Sequence, residues 1–240
     1  MPGRLRYNRS DRIEEGNIIK SWLKTAVVLV ITAFLTRFIP FSEFFRNVDT
    51  LVHELSHGLA TLLLSGDVRF INLYADQSGV TYSAYTGSWK SIPISLAGYF
   101  GSALFAVLLF FLYSYKKEKA GLIAVAAAAV LGVSLFVRNS YGMLWCGGFA
   151  LLTLFICYLS RPWLLRGYYL LIAFICLVES VISTLILFSI SIQNPQAAGD
   201  AANLSHATYV PAICWALLFV GFSLWSARLS VKLFAKRGFK

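Results

Sequence analysis

The chain is poor in charge. Only 13% of its 240 residues are Asp, Glu, Lys or Arg, about half the share of a soluble domain. Such a sequence lacks the polar surface to cover a water-soluble globule of this size, and its 58% hydrophobic content points to the lipid bilayer as its solvent. The four cysteines, Cys146, Cys157, Cys176 and Cys214, lie in apolar stretches without CxxC spacing. That excludes a disulfide framework and a cysteine metal site, leaving them as small buried apolar side chains. Histidine is rarer still, with three residues. Internal repeats and low-complexity segments are missing, and no cleavable signal peptide is read. The first apolar run starts near Ser21 behind a charged leader, without a small-residue cleavage site, and is expected to be a retained helix.

What is present is a series of long apolar runs. Residues 21–41, 91–114, 120–137, 142–160, 168–192 and 209–231 each approach or exceed the roughly 20 residues needed to span a bilayer. Residues 48–65 are helix-like but polar in their first half. They form either a tilted seventh span or a helix that enters the membrane without plainly crossing it. After them come two β-rich runs, Val68–Tyr74 and Gly79–Tyr85, around a turn of Asp76, Gln77 and Ser78, and this predicts a β-hairpin over 68–85. The expected fold class is an all-α integral membrane protein, multi-pass, with six to seven hydrophobic helices and one β-hairpin. Residues 1–20 read as a basic cytoplasmic leader, 21–235 as a single transmembrane domain and 236–240 as a basic tail.

The net charge of +10 is concentrated at the two ends and in short loops. This is flank charge, facing cytoplasm and anionic lipid, and no nucleic-acid partner is expected. Lys116-Lys117-Glu118-Lys119, Arg161 with Arg166, and the C-terminus should be cytoplasmic. Counting back places the 192–208 loop and the hairpin outside. The basic N-terminus is then also inside only if 48–65 does not cross.

Chemistry enters at His53-Glu54-Leu55-Ser56-His57. On a helix, residues i and i+4 share a face, so two imidazoles can grip one zinc ion while Glu54 stands beside it as general base. Zinc lowers the pKa of a bound water towards about 7 and so supplies a hydroxide nucleophile. A 240-residue chain shows HExxH by accident less than about one time in a hundred. The alternative is a pair of hydrogen-bonded interfacial histidines, but ionisable groups in an apolar helix are costly.

The motif with Gly58-Leu59-Ala60, then Ser65-Gly66, Ser78-Gly79-Val80-Thr81 and Leu96-Ala97-Gly98-Tyr99, resembles the site-2 protease clan of intramembrane metalloproteases. The nearest branch is its bacterial, peptidase M-fifty-B-like family. The likeness is concentrated in residues 48–104, with weaker echoes at Arg138-Asn139 and from Gly199-Asp200-Ala201 through Pro211 and Trp215. It implies zinc as cofactor, cleavage of membrane-embedded or membrane-proximal protein substrates, and a prokaryotic cell membrane. A non-catalytic member of the clan, binding membrane proteins as a scaffold, is the alternative. A transporter lined by Glu179 and the histidines lacks the half-helix pairs or repeats such a protein would show.

Better-known clan members supply a third ligand from Asn-Pro-Asp-Gly or Leu-Asp-Gly. Here Asn194-Pro195 has no following Asp-Gly. Asp200 is the leading candidate for third ligand, with a helix N-cap as its alternative role. His206 and Glu179 are further candidates, Glu179 otherwise pairing with Arg138. Asp49, four residues before His53, either orients a histidine or caps a helix. Arg138 or Asn139 could stabilise an oxyanion, Arg138 otherwise snorkelling to headgroups. Asp67 and Asp76 read as loop and turn residues.

Overall fold

The computed structural model describes residues 9–38 and 42–238. Part of the expected leader (residues 1–8), the end of the first apolar run (39–41) and the last two residues of the tail lie outside these. Among the described residues, eight helices and one hairpin follow in chain order: α1 Arg9–Phe38, α2 Ser42–Leu63, β1 Asp67–Leu73, β2 Gly79–Ala84, α3 Ser91–Ser114, α4 Glu118–Leu131, α5 Ser140–Leu159, α6 Pro162–Gln193, α7 Gly199–Thr208 and α8 Ala212–Gly238. A π turn, Gly132–Phe136, extends α4.

This is an all-α integral membrane protein with one β-hairpin. Among the described residues, five helical segments are long and apolar enough to cross a membrane: those of α3, α4 with its π turn, α5, α6 and α8. The expectation was six to seven. The difference lies in α1, which carries the first apolar run and shows Val30, Phe34 and Phe38 on its exposed surface, and in α2.

α2 begins six residues before the expected segment, because its polar first half is helical too. That half is buried in protein rather than set in lipid. Val48 and Leu51 join the main apolar core with Phe110, Phe149 and Tyr169. Arg46 meets Glu179 of α6: its Nε donates to Oε1 at 2.8 Å and its Nη2 to Oε2 at 3.2 Å. The helix ends in a Schellman-type turn, in which Ser65 takes a left-handed φ of 56° and the Gly66 N–H donates to the Thr61 carbonyl at 2.8 Å.

The chain then folds into the predicted hairpin, in register from Asp67↔Ala84 to Leu73↔Gly79. Asp76 closes the turn by accepting from the Ser78 N–H at 3.0 Å and its hydroxyl at 2.6 Å. These bonds hold its carboxyl below the ordinary range. A register shift between Val68 and Phe70 puts Val68, Ile71 and Leu73 all on the buried face, which an unbroken two-residue alternation could not do. Residues 137–139 clasp the outer edge of β1: the Arg138 N–H donates to Ile71 at 3.1 Å, and the Asn139 amide bonds both the N–H and the carbonyl of Leu73. The hairpin therefore rests on protein, as backbone polar groups at membrane depth require. Small hydroxyls knit the long helices, as where Thr184 of α6 meets Ser223 of α8 at 2.9 Å.

Candidate metal centre

α2, β2, α3 and α7 converge on one cavity of about 380 Å³, lined among others by His53, Glu54, His57, Thr81, Tyr99 and Asp200. The i, i+4 spacing on α2 puts both histidines on the face turned to α3, with ring centroids 4.6 Å apart. α3 can approach because Gly98 stands there: a Cβ on Gly98 would lie 2.5 Å from His53 Nε2.

Asp200 arrives from α7, a short helix between α6 and α8. Its Oδ2 lies 3.3 Å from His53 Nε2 and 3.2 Å from His57 Nε2, while the two Nε2 atoms are 3.0 Å apart. Burial opposes the Asp200 charge, but His57 beside it, with contacts to both imidazoles, holds its carboxyl below the ordinary carboxylate range. His57 Nδ1 is 2.7 Å from the Ile94 carbonyl. A carbonyl can only accept, so Nδ1 carries a hydrogen, and Nε2 is the atom that can offer a lone pair inward when the ring is neutral.

Two imidazole Nε2 atoms and one carboxylate oxygen thus face one point. Among the described residues, this is the one group of three or more His, Cys, Asp or Glu side chains so arranged. Ligands of a tetrahedral zinc ion, with bonds of about 2.0–2.1 Å, are separated by roughly 3.3 Å. The observed edges of 3.0 to 3.3 Å fit a single ion of that kind.

Glu54, 5% exposed, stands next to this triangle. The Thr81 hydroxyl from β2 lies 2.6 Å from its Oε2 and 3.0 Å from its main-chain carbonyl. Gly79 leaves room for the carboxylate, since a Cβ there would come 2.7 Å from Oε1. Tyr99 packs edge-on against His53, with centroids 4.6 Å apart, and is backed by Phe219. The HExxH pattern gave no pointer to Thr81, to the Ile94 carbonyl or to Tyr99 as a wall of the site. The Ser78-Gly79-Val80-Thr81 and Leu96-Ala97-Gly98-Tyr99 stretches were the nearest signals.

The other candidates lie elsewhere. His206 lines a neighbouring depression with Tyr85, Ser88 and Ser91. Glu179 pairs with Arg46 rather than with Arg138. Arg138 donates to the carbonyls of Val133, Leu135 and Val137, capping the turn it follows, and Asn139 clasps β1. Asp49 is no N-cap, since α2 begins seven residues earlier, and its Oδ1 is buried without a hydrogen-bond partner. Asp200 is not an N-cap either: Ala198 holds that position, and Asp200 sits in the first turn. Asp67 forms an exposed ion pair with Arg69.

No curated protein and no solved structure matches the chain. The family model described as Peptidase M50B-like matches residues 25–230, a stretch that takes in every element of the cavity. The chain belongs to the Peptidase M50B-like family.

Proposed function

We propose that the chain is an intramembrane zinc metalloendopeptidase that hydrolyses peptide bonds of membrane-embedded or membrane-proximal proteins. The observation that carries this reading is the triangle of His53 Nε2, His57 Nε2 and Asp200 Oδ2 beside a buried glutamate. His53, His57 and Asp200 hold the ion, and residues 21–235 act as one metalloprotease-like domain. Bound there, zinc supplies Lewis acidity and makes a water nucleophilic near neutral pH.

The chain's own groups do the rest. The Ile94 carbonyl fixes the His57 tautomer. Glu54 accepts a proton from the attacking water and delivers it to the departing amide nitrogen. The Thr81 hydroxyl holds Glu54 Oε2 in place for both transfers.

A substrate must be extended, because a helix hides its carbonyls. The hairpin has one edge to offer. The outer edge of β1 is taken by residues 137–139, whereas β2, among the described residues, pairs with β1 alone and contributes Gly79, Val80, Thr81 and Ser83 to the cavity. A segment added to β2 as a strand would run past Glu54.

The test is metal content and cleavage of a membrane-protein substrate in detergent or liposomes. Glu54→Gln is expected to keep about one zinc per chain and to lose about 10²–10⁴-fold in turnover. Normal turnover in that variant would sink the mechanism. His53→Ala and Asp200→Ala should both lose the metal. Loss in His53→Ala alone would remove Asp200 from the ligand set.

A further inference from the structure

We infer that the cavity opens on the non-cytoplasmic face of the membrane. On the protease reading, its substrate is then the non-cytoplasmic juxtamembrane segment of a membrane protein.

The two ends of the bundle differ in charge. At one end, Lys116 and Lys117 join α3 to α4, Arg161 and Arg166 open α6, and Arg237 closes α8. Glu118 ties this end together, accepting from Arg237 Nη1 at 2.5 Å with Arg166 Nε 3.7 Å away. The first half of α1 leans the same way: Arg228, nine residues before Arg237 on α8, donates to Ser21 Oγ at 3.2 Å and lies over the Trp22 ring. Lys20 therefore lies nearer the basic end than the cavity end.

The other end holds the hairpin, the start of α3, the link from α6 through α7 to α8, and the cavity. Its basic residues among the described side chains are Arg69, Lys90 and Arg138. Arg69 is paired with Asp67, and Arg138 is engaged by backbone carbonyls. Lysine and arginine collect on the cytoplasmic side of short loops, so the basic end is cytoplasmic and the cavity end is not.

Depth along α3 agrees. Gly98, which cradles the imidazoles, is 16 residues from Ser114 and 7 from Ser91. At 1.5 Å per residue the cluster lies about 24 Å from the basic end and about 10 Å from the other.

The same placement accounts for a basic N-terminus on the side of the basic loops. Arg46, in the second turn of α2, meets Glu179, which is 17 residues from the start of α6 and 14 from its end. α2 thus begins at mid-depth and rises to the cavity end without crossing. With α1 and α2 together taking the chain across once, and α3, α4, α5, α6 and α8 as five further crossings, both ends of the described chain fall on the cytoplasmic side.

The experiment is labelling with a membrane-impermeant maleimide in spheroplasts of a bacterial host making the full chain, in a Cys214→Ser background that removes the exposed native thiol. Ala75→Cys reports the hairpin turn and Lys117→Cys the α3–α4 loop, both exposed positions. Ser88→Cys is a second reporter at the cavity end, should Ala75→Cys fail to fold. Labelling of Ala75→Cys and Ser88→Cys in intact spheroplasts, and of Lys117→Cys after permeabilisation alone, is the expected result. The reverse pattern, or labelling of Lys117→Cys in intact spheroplasts, overturns the orientation. Zinc is measured on the same variants. The expected pattern without zinc would retire the metallopeptidase reading while leaving the orientation standing.

Discussion

α2 carries two polar centres, seven residues apart, and they are chemically opposite. Arg46 and Glu179 form a closed pair in which each charge meets its complement in two hydrogen bonds. His53 and His57 with Asp200 bring three potential ligand atoms to one point, with no lysine or arginine among them. Both centres sit among apolar helices, where an uncompensated polar group is costly. In the first, the opposite charges of Arg46 and Glu179 offset one another. On the metallopeptidase reading, the second is completed by a cation at its centre. Burial of ionisable groups does not by itself separate structure from function; what separates them is whether the donors and acceptors balance.

This contrast can be broken from either side. Arg46→Met removes the two hydrogen bonds that Arg46 gives Glu179 and should destabilise the protein by about 3–5 kcal/mol, as for other broken buried pairs. The double change Arg46→Met with Glu179→Met should recover much of that. Thermal unfolding in detergent measures both, and zinc content per folded chain should not change. A single variant as stable as the parent would remove the structural reading of this pair.

Gly98→Ala acts on the other centre. Its Cβ would push into the two imidazoles, so the metal should bind about 10–100-fold more weakly, the size of effect seen when ligand orientation is disturbed. A competition titration with a chelator reads this, and an unchanged affinity would mean that α3 yields without moving the histidines.

Thr81→Val is the mildest change. It keeps the shape and removes one hydrogen bond to a carboxylate, worth about 1.5 kcal/mol or somewhat more. Turnover should fall roughly tenfold with zinc retained. Loss of zinc instead would assign Thr81 to the metal site rather than to Glu54.

The sequence revealed the open centre far better than the closed one. His53 and His57 are four residues apart, so helical geometry alone puts them on one face. The hairpin was legible for the same reason: its turn chemistry is local, and Asp76 closes it as such residues do. Asp200 is 143 residues beyond His57, and only the packing of α7 against α3 brings it in. Its candidacy rested on the scarcity of acids near apolar segments. Arg46 drew no attention, since nothing in its neighbourhood names a partner on α6, and Glu179 was matched with Arg138. The start of α2 was set at residue 48 rather than 42 because its first turns are polar. The protein interior that shelters them is a tertiary fact that no local pattern carries.

The contact of Asp200 with the two histidines also has a mechanical side. It joins the second helix to the short link between the last two long ones, pinning together parts of the chain that the connections alone leave far apart. An ion held by all three would work as a reversible rivet, closing a loop of well over a hundred residues that is entropically expensive to close in the unfolded chain. Chelation would then do more than stop chemistry. It would unfasten α7 from α2, and resistance to heat and to proteolysis at the α6–α7 link should rise and fall with metal occupancy.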